Sequence, residues 1–172
     1  MRSDWEKIGI KVGSLDGNKN IETGGNDLAK KAFEEILGEE WIKTTVDHII
    51  QVKRGSELAM NCLRLLESEK ATFYAYEIYK NSNAEKAVEA VWLIKQIANP
   101  IAFKWVEEFL NDPNVMVWGF GLLDQLLWTE NIVFDHNRDK VELLFQLALK
   151  NSNNKLLEDV DFVKKYLDER SD

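Results

Sequence analysis

The tetrapeptide "KNSN" stands twice in this chain, at Lys80–Asn83 and again at Lys150–Asn153. Each copy closes an apolar stretch, "YAYEIY" (residues 74–79) before the first and "LFQLAL" (residues 144–149) before the second. The residues leading into each copy share a spacing. Ala71, Tyr74, Ala75, Ile78 and Tyr79 precede the first, and Val141, Leu144, Phe145, Ala148 and Leu149 the second. Steps of three and four put such residues on one side of a helix. The same stripe recurs at Ala102, Trp105, Val106, Phe109 and Leu110, before "NDPN", and upstream at Ile42, Thr45, Val46, Ile49 and Ile50.

A second kind of stripe precedes each of these. It reads Ala29, Ala32, Phe33, Ile36; then Ala59, Cys62, Leu63, Leu66; then Ala87, Ala90, Val91, Ile94; then Met116, Gly119, Phe120, Leu123. Two independent stripes that return about every thirty residues describe a repeated pair of helices. Helix pairs are expected near 26–53, 56–81, 84–112 and 114–152. The small polar residues of "KNSN" and "NDPN" are the corners between pairs, because Asn and Asp cap helices and Pro113 stops one. "GEE" (38–40) and "ANP" (98–100) are corners inside a pair.

Two segments depart from the pattern. The last interval is eight residues longer than the one before it, and the excess falls in "WTENIVFDHNRD", Trp128–Asp139. An inserted loop is expected there, and inserted loops are frequent binding elements. After the last corner, Leu156, Leu157, Val160, Val163 and Leu167 make one more helical stripe, read as a C-terminal capping helix. The first 25 residues hold five of the nine glycines. Their "IGIKVGSLDGNKNIE" reads as a short hairpin about Asp16–Gly17 or as a flexible lead-in.

This pattern resembles the HEAT-like class of α-solenoids. The resemblance implies an all-α fold: a short right-handed α-solenoid of about four HEAT-like hairpins with a C-terminal capping helix. In domain terms, residues 1–25 form a Gly-rich N-terminal segment and residues 26–172 a single helical-repeat domain.

The totals narrow the function. The net charge is −8, and residues 106–172 account for most of it, with 7 Lys/Arg against 14 Asp/Glu. An acidic surface repels phosphate backbones and attracts basic partners. One cysteine cannot form an internal disulfide, and no apolar run has the length of a signal peptide or a membrane span, so a cytoplasmic protein without membrane contact is expected.

Catalytic chemistry is hard to assemble. Cys62 takes the stripe position held by Ala32, Ala90 and Gly119, which reads as a small buried core residue. His48 lies off the stripe. His136 lies in the expected loop with Asp135 and Asp139, at a spacing that matches no metal motif. The glycines form no phosphate loop, and adjacent acid pairs such as Glu34–Glu35 diverge on a helix. No catalytic residue, metal or cofactor is expected.

The aromatic residues are the informative class. Trp118 aligns with Lys31, Asn61 and Glu89, so it either faces a partner or is buried between helices. Trp128 opens the expected loop. Phe73 and Tyr76 align with Lys104 and Glu107. Aromatics beside acids make protein-binding hot spots. The expected partner surface is Glu107, Glu108, Trp118, Trp128, Glu130, Asp135 and Asp139.

A small, acidic, helical chain without catalytic groups is similar in kind to bacterial immunity proteins, including those of contact-dependent growth inhibition systems. That likeness implies a partner: a basic, nuclease-type toxin domain, bound and neutralised, with no direct nucleic-acid contact. A general adaptor or scaffold in a cytosolic complex shares the same features. HEAT-like DNA glycosylases need a basic concave face. Here Asp47, Glu77, Glu107, Glu108 and Glu142 oppose Lys80, Lys104 and Lys150, which places that reading last. The oligomeric state stays open, a homodimer included.

Overall fold

The computed structural model describes residues 4–16, 22–151, and 160, 161, 164, 165 and 168. The described residues are all-α, with one isolated antiparallel bridge, Leu15 to Glu22. The chain divides into two compact units, residues 1–74 and 75–172.

The first unit opens with α1, Trp5–Val12. Asp4 caps it by accepting from the Lys7 N–H at 3.2 Å, and Gly13 ends it in the left-handed conformation (φ 81°). "IGIKV" is therefore helix, neither a strand of a hairpin nor a flexible lead-in. Beyond it, Ser14 and Thr23 exchange backbone and hydroxyl bonds, while the tip of the expected hairpin, residues 17–21, lies outside the described residues.

Helices α2 (Asn26–Leu37) and α3 (Glu39–Ile50) are joined by Gly38 alone. Its φ of 82° and ψ of 159° are open in practice only to glycine. Helix α3 buries Ile42, Val46, Ile49 and Ile50, the residues of its stripe. Helix α4 (Ser56–Leu65) packs on α3 through Met60 and Leu63. The next helix, α5 (Glu69–Asn81), starts at Ser68, whose Oγ accepts from the Ala71 N–H and donates to the buried carboxylate of Glu34 on α2. Beside it, Glu35 pairs with both Lys11 of α1 and Lys70 of α5. Hydrogen bonds from Lys11 and then Lys70 hold the Glu35 carboxyl below its ordinary value. Elsewhere in this unit, the Tyr74 hydroxyl donates to Asp47 at 3.2 Å.

The second unit contains α6 (Ala84–Ile97), a 3-10 helix (Pro100–Trp105) running directly into α7 (Val106–Asn111), α8 (Met116–Trp128) and α9 (Phe134–Asn151). Asn83 caps α6 by accepting from the Lys86 N–H, and Asn99 accepts from the Ile101 N–H ahead of Pro100. Helix α6 packs on α8, and α7 packs on both α8 and α9. Gly119 makes the closest of these contacts: a Cβ added there would sit 2.6 Å from Phe109 Cβ. The close packing expected of this glycine is what its Cα needs. The aromatic core includes Tyr76 stacked on Trp105 at 4.0 Å and Tyr79 edge-on to Phe109.

The corner asparagines repeat as the sequence does. Asn81 donates to the Glu77 carbonyl and Asn111 to the Glu107 carbonyl, each four residues back. Asn151, at the third such corner, instead reaches across to the Leu110 carbonyl (3.0 Å) and Asn111 Oδ1. At the opposite corners, Asn131 donates to the Ala98 carbonyl at 2.7 Å. The bonds to the Ala98 and Leu110 carbonyls satisfy helix-terminal groups that have no partner inside their own helix.

Two expectations are overturned. Cys62 is exposed, and so is Phe33, which is 54% accessible. Both sit on stripes read as core. In the first unit, α4 is covered on the side of Met60 and Leu63, which leaves Cys62 open on the other flank of its stripe, and α2 buries Glu34 against Ser68, which leaves Phe33 facing out. The insertion is also not a loop. The turn is residues 129–133, and Phe134–Asp139 are the first turns of α9, 18 residues long. The extra residues are spent as helix because nothing between Phe134 and Asn151 breaks one. The capping helix lies mostly outside the described residues, although Val160, Asp161, Lys164, Lys165 and Asp168 are helical and Val160 is buried.

Candidate protein-binding site

The residues singled out from the sequence fall in two places. Trp128 ends α8, Glu130 lies in the turn, and Asp135 and Asp139 stand on the first turns of α9. These four lie within a dozen residues of chain on one hairpin end. Asn131, bonded to Ala98, and the buried Ile132 hold the turn against the end of α6. Glu130 has a positive φ of 58°, which ends α8 sharply. Trp128 is 66% exposed, and Val133 across the turn is half exposed. An indole left this open forgoes about 2 kcal/mol of burial, which a partner could supply.

Charge surrounds this apolar tip. Asp135 is exposed, with Arg138 at 3.6 Å; Asp139 and Glu142 are exposed as well. Arg138 also lies over the Phe134 ring at 4.9 Å, and Lys140 over Phe103 at 4.6 Å. From Asp124 to Glu142 there are five acids and two fixed cations, so the end of this hairpin is negative. Arg138 offsets Asp135, and the remaining acids leave the balance negative.

Glu107, Glu108 and Trp118 lie elsewhere. Phe103 is level with Lys140 and Leu110 with Asn151, so Glu107 and Glu108 lie alongside the C-terminal half of α9. They are about 18 Å along that helix from Asp135. Glu107 is exposed. Glu108 accepts from the Tyr76 hydroxyl and from Lys80, both at 2.6 Å. Burial opposes its ionisation, but these two bonds outweigh burial and hold its carboxyl below the ordinary value. Burial, then the Glu108 carboxylate, pushes Tyr76 up to about 12. Tyr79 is also raised, by burial first and Asp112 second. Tyr76 is thus packed between helices. Trp118 is half-buried on α8, about 15 Å from Trp128 at ten residues' separation.

The sequence reading missed a groove along α9. Phe134, Leu143, Phe145 and Leu149 line it, with Arg138, Asp139, Lys164 and Asp168, and its volume is about 650 Å³. Leu143, 70% exposed, lies off the buried stripe of α9. That offset was visible in the sequence. The length of the helix that carries it was not.

His136 is exposed on the first turn of α9, and among the described residues no three His, Cys, Asp or Glu side chains are placed to share a metal. No described helix is long and apolar enough to cross a membrane. Comparison with protein families, characterised proteins and solved structures gives no match.

Proposed function

We propose that this chain is a non-enzymatic protein-binding module: a short right-handed HEAT-like solenoid that docks a basic partner with the acidic end of its last hairpin. The observation that carries the reading is Trp128, two-thirds exposed at a turn anchored by Asn131 and rimmed by Glu130, Asp135 and Asp139. An exposed aromatic on a rigid turn with like-signed charge around it has the composition of a hot spot and the field to steer an oppositely charged protein. Glu107, Glu108 and Trp118 lie away from this tip, and the proposed contact is kept to Trp128, Glu130, Asp135 and Asp139.

The solenoid reading is supported within the second unit. First helices contact each other there (α6 on α8), second helices do likewise (α7 on α9), and asparagines bond both rows of corners. The partner that best suits an acidic surface is a basic nuclease-type toxin domain, which makes the chain a cytoplasmic immunity protein. A general adaptor is the second reading, favoured by the groove along α9, whose apolar floor suits a helical segment.

The test is capture from the native host with the full chain as bait, followed by binding kinetics at two ionic strengths. Trp128→Ala is expected to lose about 2 kcal/mol of binding, through faster dissociation. Asp135→Lys with Asp139→Lys is expected to slow association and flatten its salt dependence. A captured nuclease inhibited by the chain supports immunity; a captured protein without such activity supports the adaptor. Binding unchanged in all these variants overturns the site.

A further inference from the structure

A different face of the molecule points to self-association. In α4, Leu58 and Leu65 are 73% and 77% exposed, and Cys62 is exposed between them. At about 100° per residue these three fall within roughly 60° of one another, opposite the buried Met60 and Leu63. They form one apolar stripe along the outer side of a ten-residue helix. Leucines left in water on both turns of one stripe are not explained by packing within the chain.

The charges beside the stripe say what covers it. Glu57 and Arg64 are exposed, seven residues apart, and so lie on the same flank of the helix. Neither has an ion-pair partner among the described residues. A two-fold axis across the stripe would lay a second α4 antiparallel to the first and bring like flanks together. Leu58 then faces Leu65 of the other copy, while Glu57 faces Arg64, twice over. A parallel pair would set Glu57 against the uncharged flank carrying Cys62. The charge pattern is self-complementary in one orientation, which is what an isologous contact requires.

We infer that the chain forms a two-fold homodimer through antiparallel α4 helices, with Leu58 and Leu65 at the seam and Glu57–Arg64 pairs along one edge. The helix is about 15 Å long, so the contact is smaller than a standard interface and the dimer is reversible and concentration-dependent. This site is independent of the acidic hairpin end.

Sedimentation velocity on the full chain over a wide concentration range tests it, with circular dichroism to show that each variant is folded. The wild type is expected to pass from monomer to dimer as concentration rises. Leu65→Glu should raise the dissociation constant at least about tenfold. Arg64→Glu and Glu57→Arg should each weaken the dimer about fivefold, and the double exchange E57R/R64E should restore it. A short bis-maleimide should join two chains through Cys62 in the wild type and the double exchange, but not in Leu65→Glu. A monomer at every concentration leaves the face to another partner and overturns the inference. So does a dimer indifferent to Leu65→Glu, or a double exchange no better than its parents.

Discussion

Phe33 and Phe120 hold the same place in two copies of the repeat, third in the stripe of a first helix, and they meet opposite fates. Phe120 is 2% exposed, between Gly119 and the doubly covered face of α8; Phe33 is more than half in water. The contrast extends along the stripe. In α6 and α8 every stripe residue is buried, whereas in α2 and α4 only Leu63 is. The second helices do not differ in this way: Ala71, Ala102 and Val141 are all fully buried. Periodicity thus marks which side of a helix is apolar. Whether that side is covered depends on neighbours, and the helix's own sequence does not contain them.

The largest effect that should follow is at the phenylalanines themselves. Phe120→Ala is expected to cost about 4 kcal/mol, because it empties a closed site, while Phe33→Ala costs less than about 1. Equal losses in urea titration would erase the contrast. Gly119 and Cys62 are sister positions too. Gly119→Ala forces a methyl against Phe109, at an expected cost of about 2 kcal/mol after the gain in helix propensity. Cys62→Ala should stay within about 0.5 kcal/mol, and the native thiol should react with a maleimide as fast as a free one. A thiol that waits for unfolding would put Cys62 back in the core.

Acid should affect both units, by separate routes. Glu35 and Glu108 ionise below the ordinary 4.5 in the folded chain. Their lowered values stabilise the fold fully above 4.5, and that stabilisation is lost as pH falls through the lowered values. Glu35→Gln and Glu108→Gln are each expected to cost about 1 kcal/mol at neutral pH and to converge on the wild type in acid. Persistence of the difference in acid would assign the loss to packing. At the corners, Asn151→Ala should cost about 1 kcal/mol, and Asn81→Ala, whose bond stays within its own helix end, less.

Helix positions were legible because the stripes are long and the corner residues carry their own capping chemistry; Asn83 and Asn99 cap where their identity says they should. Helix α1 was not legible as helix, although Asp4 and Gly13 are good terminal signals. Gly9 lowers the propensity of its middle, and "IGIKV" alternates like a strand. The length of α9 was misjudged because polar "DHNRD" looks like a loop when it is solvated helix. Trp128 falls outside the repeating stripes in the sequence and is exposed in the structure. That Glu108 spends its charge on Lys80 and Tyr76 required knowing which helices touch, a tertiary fact.

Gly38 has a consequence for how the molecule comes into being. One residue separates α2 from α3, so the loop-closure entropy for contacts across that joint is close to the least a helix pair can have. Contacts that local form quickly. A chain emerging from the ribosome could form this pair before the second unit has been synthesised, leaving the exposed side of α2 to meet the cell first.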